Sequence, residues 1–369
     1  MRAKLAETRA AYLFLLPFLL LLIIFFGYAA VRAIYFSFTN YDLFNTPEWV
    51  GLKNYRDLFT DSNFLYALRN TVISSLIVTV VQTFLALVMA TILNNKIRGI
   101  QFFRAAYYMP SITSSVVITL IFLWMFQQKG LINYMTSGFR ANLPIIAVFL
   151  LILVVVQIAQ VLFERARNLP AKWFDPALFV ISLLIAAVGT WILSALGIVN
   201  PREVVASEFV WLQTDAEFPS FMPFWLRAPI PLIAIMIQNI FTTIPTFMLM
   251  YLAGLQDVPK SHYEAASLDG ATAVQQFRHI TIPAVQPVTF LIVTLSLIGT
   301  LQMFDQVAIF GNAAPLRSII TLAYYVYNRM FPGAQTPEVG LAAAAALFLA
   351  LFTLIVVLLQ RFVIRSENK

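Results

Sequence analysis

Cysteine is absent from all 369 residues, which excludes disulfide frameworks, thiolate metal sites and cysteine nucleophiles at once. Histidine is nearly absent too. His262 and His279 are the only two and fall in one loop, leaving little material for a metalloenzyme. No Gly-x-x-x-x-Gly-Lys-Ser/Thr run is available to cradle phosphates, so ATP hydrolysis of that kind is excluded. Charged residues make up 11% of the chain, against about 25% in an ordinary soluble domain. Apolar residues fill the deficit, at 60% of the chain, with a mean hydropathy of +0.82.

The apolar residues gather in runs long enough to cross a bilayer, which takes roughly 20 residues of helix. Eight such runs lie at 11–31, 71–93, 105–126, 143–163, 176–199, 229–255, 285–304 and 339–364. They predict an all-α, polytopic membrane protein with eight transmembrane helices. Pro17, Pro110 and Pro245 lie in or near these runs, where neighbouring helices can satisfy the freed backbone groups. The first run reads as a retained span, because its apolar stretch is too long for a signal peptide and no small-residue cleavage site follows. With a cytoplasmic N-terminus, 14 Lys and Arg fall on 67 inner residues and 10 on 118 outer ones. That asymmetry follows the positive-inside rule and predicts cytoplasmic termini at both ends. The net charge of +7 is therefore a topology signal and gives no support for nucleic-acid binding.

The stretch from Gln256 to Pro283 is the most informative. Ser261 and Glu264 have the spacing of a capping box, and Pro259 stops the preceding span. A short helix through Glu264, Ala265, Ala266 and Leu268 should end at the Asp269-Gly270 turn, with a second helical stretch before Pro283. The simplest reading is an interfacial helix that links two spans. Its small residues also let another protein approach closely.

The whole string (Glu264-Ala265-Ala266, Asp269-Gly270-Ala271, Phe277, Ile280, Thr281, Pro283) resembles the EAA loop of binding-protein-dependent ABC permeases. The resemblance extends over nearly the whole chain and points to the maltose-type, sugar-permease branch. It is carried by Leu13 to Pro17, Ser37-Phe38-Thr39, Val50 to Tyr55, Ala67 to Thr71, Gly99 with Phe103-Arg104, and Tyr108-Met109-Pro110. Gly130 to Asn133, Leu252 to Gln256, Met303-Phe304-Asp305 and Gly340 to Ala344 continue it. Two departures stand out. Asn312-Ala313-Ala314-Pro315 replaces a Gly-Gly-Pro turn, and an insertion at 139–207 adds a two-helix hairpin to a six-helix importer core. The simpler reading of that hairpin is peripheral packing, and the sharper one is docking of an extra partner.

The resemblance implies a leader helix and first outer loop (1–66), a permease core (67–365) and a cytoplasmic coupling loop (256–283). In that loop Glu264, Ala265, Ala266, Asp269, Gly270, Phe277 and Pro283 would dock on an ATPase subunit. ATP and magnesium then belong to the partner ATPase dimer, and this chain carries no cofactor. A second related permease, an extracytoplasmic solute-binding protein and a prokaryotic cell membrane complete the implied assembly. The cargo would be a sugar, a polyol or a phosphorylated glycerol. Polar side chains within spans are costly and often line a path. Gln238, Asn239, Gln302 and Asp305 are the candidate substrate contacts, each alternatively an interhelical hydrogen bond. Gln82, Gln157 and Gln160 read as structural contacts. An ion-coupled secondary transporter is the main rival, although no acid or base falls mid-span.

Overall fold

The computed structural model describes residues 2–94, 99–167, 172–173, 175–203 and 209–366. Lys96, Arg98, Lys369 and the end of the inserted segment at 204–207 lie outside the described residues. Among those described, seven helices are long and apolar enough to cross a membrane, or eight if one bent pair counts as a single span.

The first helix, α1 (Arg2–Leu21), passes through a π turn at Leu22–Gly27 into α2 (Tyr28–Ser37). A short helix, α3 (Lys53–Thr60), precedes α4 (Ser62–Leu93), which Asp61 caps by accepting from the Asn63 amide at 2.9 Å. This start corrects the sequence expectation of 71, and it brings Arg69 inside the helix. The third span is not one straight helix. It consists of α5 (Ile100–Ile112) and α6 (Ser115–Met125), bent by 94° at Thr113–Ser114. Pro110 removes a backbone donor in the last turn of α5. Ser111 and Thr113 hydroxyls bond back to the carbonyls of Tyr108 and Met109, at 2.8 and 2.9 Å.

Residues Trp124–Trp211 form one compact unit and the rest of the chain another. In the smaller unit, α7 (Leu131–Ala166) packs on α8 (Pro176–Ala195). The former is 36 residues long, about 54 Å at 1.5 Å per residue, and runs without a break through Phe139. Ser182 donates to Gln157 and Gln160 at 2.7 and 3.2 Å, so these glutamines do join the two helices.

In the larger unit a two-residue ladder, β1 (Glu217–Phe218) with β2 (Ala228–Pro229), leads into α9 (Ile230–Gln256). The chain continues through α10 (Lys260–Leu268), α11 (Ala273–Gln276), a π turn at Phe277–Thr281 and α12 (Ile282–Ala284) into α13 (Gln286–Leu301). After a break come α14 (Asp305–Phe310), α15 (Leu316–Ile319), α16 (Leu322–Met330) and α17 (Val339–Ser366). Helix α4 lies against α9 and α13, and α17 against α2, α3, α13 and α16. In hydrocarbon, apolar burial no longer drives helices together, so close packing and interhelical hydrogen bonds must do so. Ala86 and Ala90 of α4 accordingly face Met248, Tyr251 and Leu255 of α9 and Ile292 of α13. Gly254 lets α13 approach, since a Cβ there would lie 2.7 Å from a Val288 methyl. Gln82 donates to Ser296, which donates to Thr79 at 2.7 Å, and Tyr251 donates to Thr289 at 3.0 Å.

Candidate functional site

The N-terminal end of α4 is laced by charge. Arg69, 1% exposed, pairs with Glu217 at 2.6 Å and lies over the rings of Phe224 and Tyr66, at 4.3 and 5.1 Å. Asn70 donates to the carbonyls of Arg317 and Ile320, and the Thr71 hydroxyl accepts from the Leu322 amide. Asp61 accepts from the Tyr325 hydroxyl at 2.6 Å and from Arg329, which also pairs with Glu338 at 2.7 Å. Burial works against the charge on Asp61. The Tyr325 hydroxyl, the Asn63 amide and the Arg329 guanidinium outweigh it and hold the carboxyl below the usual carboxylate range. Burial and the bond to Asp61 push the Tyr325 hydroxyl well above its ordinary value. These three ion pairs are the ones found among the described residues, and all sit at this stapled end. Arg69 lies within the Ala67–Thr71 motif, but nothing local in the sequence points to its partner 148 residues away.

The opposite end, where α9 runs into α10, is built differently. Pro259, with φ −59° and ψ 132°, is the last non-helical residue before α10. Ser261 therefore already lies inside the first turn and makes no cap, which corrects the Ser261–Glu264 expectation. The capping box is instead at Thr272–Gln275: Gln275 accepts from the Thr272 amide at 2.7 Å, and the Thr272 hydroxyl accepts from the Gln275 amide at 3.4 Å. Between the helices the chain closes a Schellman turn. Gly270 (φ +77°) donates to Ser267 and Ala271 donates to Ala266, at 3.1 and 2.9 Å. A side chain at Gly270 would be strained by that left-handed φ.

Gln276 donates to the Ser267 hydroxyl at 2.9 Å, and Tyr263 shares a 3.0 Å bond with Thr281. Phe277 packs against the Tyr251, Val285 and Ile292 cluster, so the loop is fastened to α9 and α13. Outward it offers Glu264, Ala265, Asp269 and Gly270, all exposed, with Ala266 half-buried. Leu268 and Val274 are 89% and 75% exposed, far more than apolar side chains of a finished surface need be. A hollow of about 340 Å³ opens between the helices, bordered by Ala266, Asp269, Gly270, Gln275 and His279. A folded helical pair with bare apolar tips, and acids that enter no ion pair among the described residues, is suited to receiving another protein.

The polar residues expected along the spans separate into two groups. Gln238, 1% exposed, donates to Thr119 at 2.5 Å while its Oε1 has no partner, and Asn239 is half-buried beside it. Gln302 and Asp305 are exposed on either side of the break after α13. No hydrogen bond links the two groups among the described residues.

The sequence model described as "Binding-protein-dependent transport system inner membrane component" matches residues 82–369. The multiple sugar-binding transport system permease protein MsmF of Streptococcus mutans is 28% identical, covering 94% of this chain and 92% of its own. The lactose transport system permease protein LacF of Rhizobium radiobacter is 28% identical, covering 97% and 94%. Among solved structures, a bacterial ABC transporter involved in import of the acidic polysaccharide alginate superposes with a TM-score of 0.66 at 18% identity, covering the whole of both chains. That likeness speaks for the fold.

Proposed function

Because the chain belongs to the family of binding-protein-dependent transport system inner membrane components, we propose that it is the permease of an ATP-driven carbohydrate importer. The self-capped loop of Glu264, Ala265, Ala266, Asp269, Gly270, Phe277 and Pro283 is the observation that carries this reading. It is exposed, carries no internal ion pair among the described residues, and is fastened to two spans at once. Such a loop converts movement of a docked ATPase subunit into tilting of α9 and α13. The permeases of multiple sugars and of lactose that the chain resembles support a carbohydrate cargo.

In this reading the loop end and both termini face the cytoplasm, and the stapled end receives a solute-binding protein. A second, related permease supplies the other half of the pathway, and closure of the ATPase dimer opens the path alternately to each side. Reciprocity then requires that loading from outside also stimulates ATP hydrolysis. Gln238 and Asn239 serve as hydrogen-bonding groups along the path, supported by the unpartnered Oε1 of Gln238. The hairpin within 139–207 is an addition to the six-helix transport core.

The test is affinity purification of tagged chain from detergent-solubilised membranes, wild type beside Glu264→Ala. Recovery of a nucleotide-binding subunit with wild type and its loss with the variant is the expected result. A folded wild-type chain that brings down no ATPase, together with uptake that survives ATP depletion and collapses with the ion gradient, would favour an ion-coupled carrier.

A further inference from the structure

The span before the stapled end does not finish cleanly. Helix α13 stops at Leu301, Gln302 to Phe304 are irregular, and α14 restarts at Asp305. The buried Thr321 hydroxyl donates to the freed Met303 carbonyl at 2.7 Å, which fixes the break. Over it lies a group of rings. Phe304 meets Tyr327 edge-on at 5.1 Å between centroids and Tyr324 at 6.2 Å, and Tyr327 meets Phe331 at 5.3 Å.

Tyr324, Tyr327 and Phe331 follow one another at spacings of three and four, which puts them on one face of α16 and its continuation. Tyr327 is 44% and Phe331 60% exposed. The helix cannot roll to bury them, because Tyr325 and Arg329 are tied to Asp61 and Glu338. Gln302 and Asp305 flank Phe304, exposed and without side-chain hydrogen bonds among the described residues.

Half-exposed rings beside a free amide and a free carboxylate have the chemistry of a sugar subsite. The C–H face of a sugar ring lies against aromatic surface while its hydroxyls donate to the oxygens alongside. Lipid fits poorly, because hydrocarbon would desolvate Asp305. An anionic sugar fits poorly too. Asp305 repels it, and the nearby guanidinium of Arg329 is already spent on two carboxylates.

We propose that the broken end of α13 and the ring-bearing face of α16 form a subsite for one uncharged sugar ring, an assignment that rests on the carbohydrate-import reading. It is separate from Gln238 and Asn239. These lie eight and nine residues beyond the start of α9, about 12 Å along that helix.

The experiment uses the complete importer in proteoliposomes, with ATP inside and lactose, arabinotriose, maltotriose and a diuronate as probes. Wild type should take up at least one neutral probe and discriminate against the diuronate. Tyr327→Ala should raise the half-saturating concentration about tenfold with little change in maximal rate, Tyr327→Phe should behave as wild type, and Asp305→Asn should relax discrimination against the diuronate. A purely structural role for Tyr327 would instead lower the yield of assembled complex and leave the half-saturating concentration per complex unchanged, which overturns the subsite. So does a wild-type preference for the diuronate, with the importer reading left standing. An ATPase-coupled complex that moves none of the saccharides overturns both.

Discussion

At one end of α4, Arg69 and Asp61 are locked to acids, bases and rings drawn from the 217–224 and 325–338 stretches. At the other, where α4 finishes at Leu93 and α9 enters α10, the fastening is done by hydrogen bonds, with no ion pair among the described residues. Arg104 donates to the Leu93 carbonyl at 2.6 Å, Tyr263 bonds Thr281, and Gln276 bonds Ser267. The acids Glu264 and Asp269 enter no ion pair among the described residues. The two ends are thus finished to different degrees. Charges spent internally make a surface that holds its shape, whereas charges left open beside bare Leu268 make one that awaits a partner.

The contrast predicts a graded set of outcomes in the thermal unfolding of detergent-solubilised chain. Arg69→Ala should cost most, about 3 kcal/mol, because it removes one partner of a mostly buried ion pair and two ring contacts. An unchanged melting profile would mean that the stapled end is not held by charge. Gly340→Ala should follow at about 2 kcal/mol. A Cβ there would lie 2.0 Å from the Thr39 carbonyl oxygen and 3.0 Å from the Asn54 amide, forcing α17 away from the 37–54 loop.

Acidification should come next. The carboxyl of Asp61 is held below its ordinary value of 3.8, so its contribution is complete above that value and is lost as pH falls through the lower, folded one. The protection factors of the α16 amides, with the intrinsic pH dependence of exchange divided out, should therefore be flat from pH 8 to 5 and fall below about pH 3.8, and Asp61→Asn should abolish that step. The smallest effect belongs to the loop end. Leu268→Ser should shift stability by less than about 0.5 kcal/mol, as exposed substitutions do, while weakening recovery of the ATPase severalfold. A large loss of stability would show that the loop is part of the core.

The sequence motifs turn out to mark fastenings. Ser37, Thr39, Asn54 and Gly340 converge on one point, where the Asn54 amide donates to both the Ser37 and Thr39 carbonyls at 2.9 and 2.8 Å. Asn133 joins Gln128, Phe209 and Trp211 in the same way. The all-α, polytopic character, the Gly270 turn and the exposed loop were legible because hydrophobic run length and local turn chemistry carry them. The elbow at Thr113–Ser114 was not, since Pro110 signals strain without saying which way the chain relieves it. The Asp61–Tyr325–Arg329 cluster was illegible for a simpler reason. Asp61 lies more than 260 residues before Tyr325 and Arg329, and no local period encodes such a meeting.

The Schellman turn at Gly270 has a consequence for timing. A helix end whose carbonyls and amides are satisfied by its own chain is folded before anything touches it, so a docking partner has little left to order. Attachment of this kind owes its strength to surface fit alone, and release leaves no unravelled segment to rebuild. The proposed contact with the ATPase can then be broken and remade at every turnover, with the loop acting as a reusable latch.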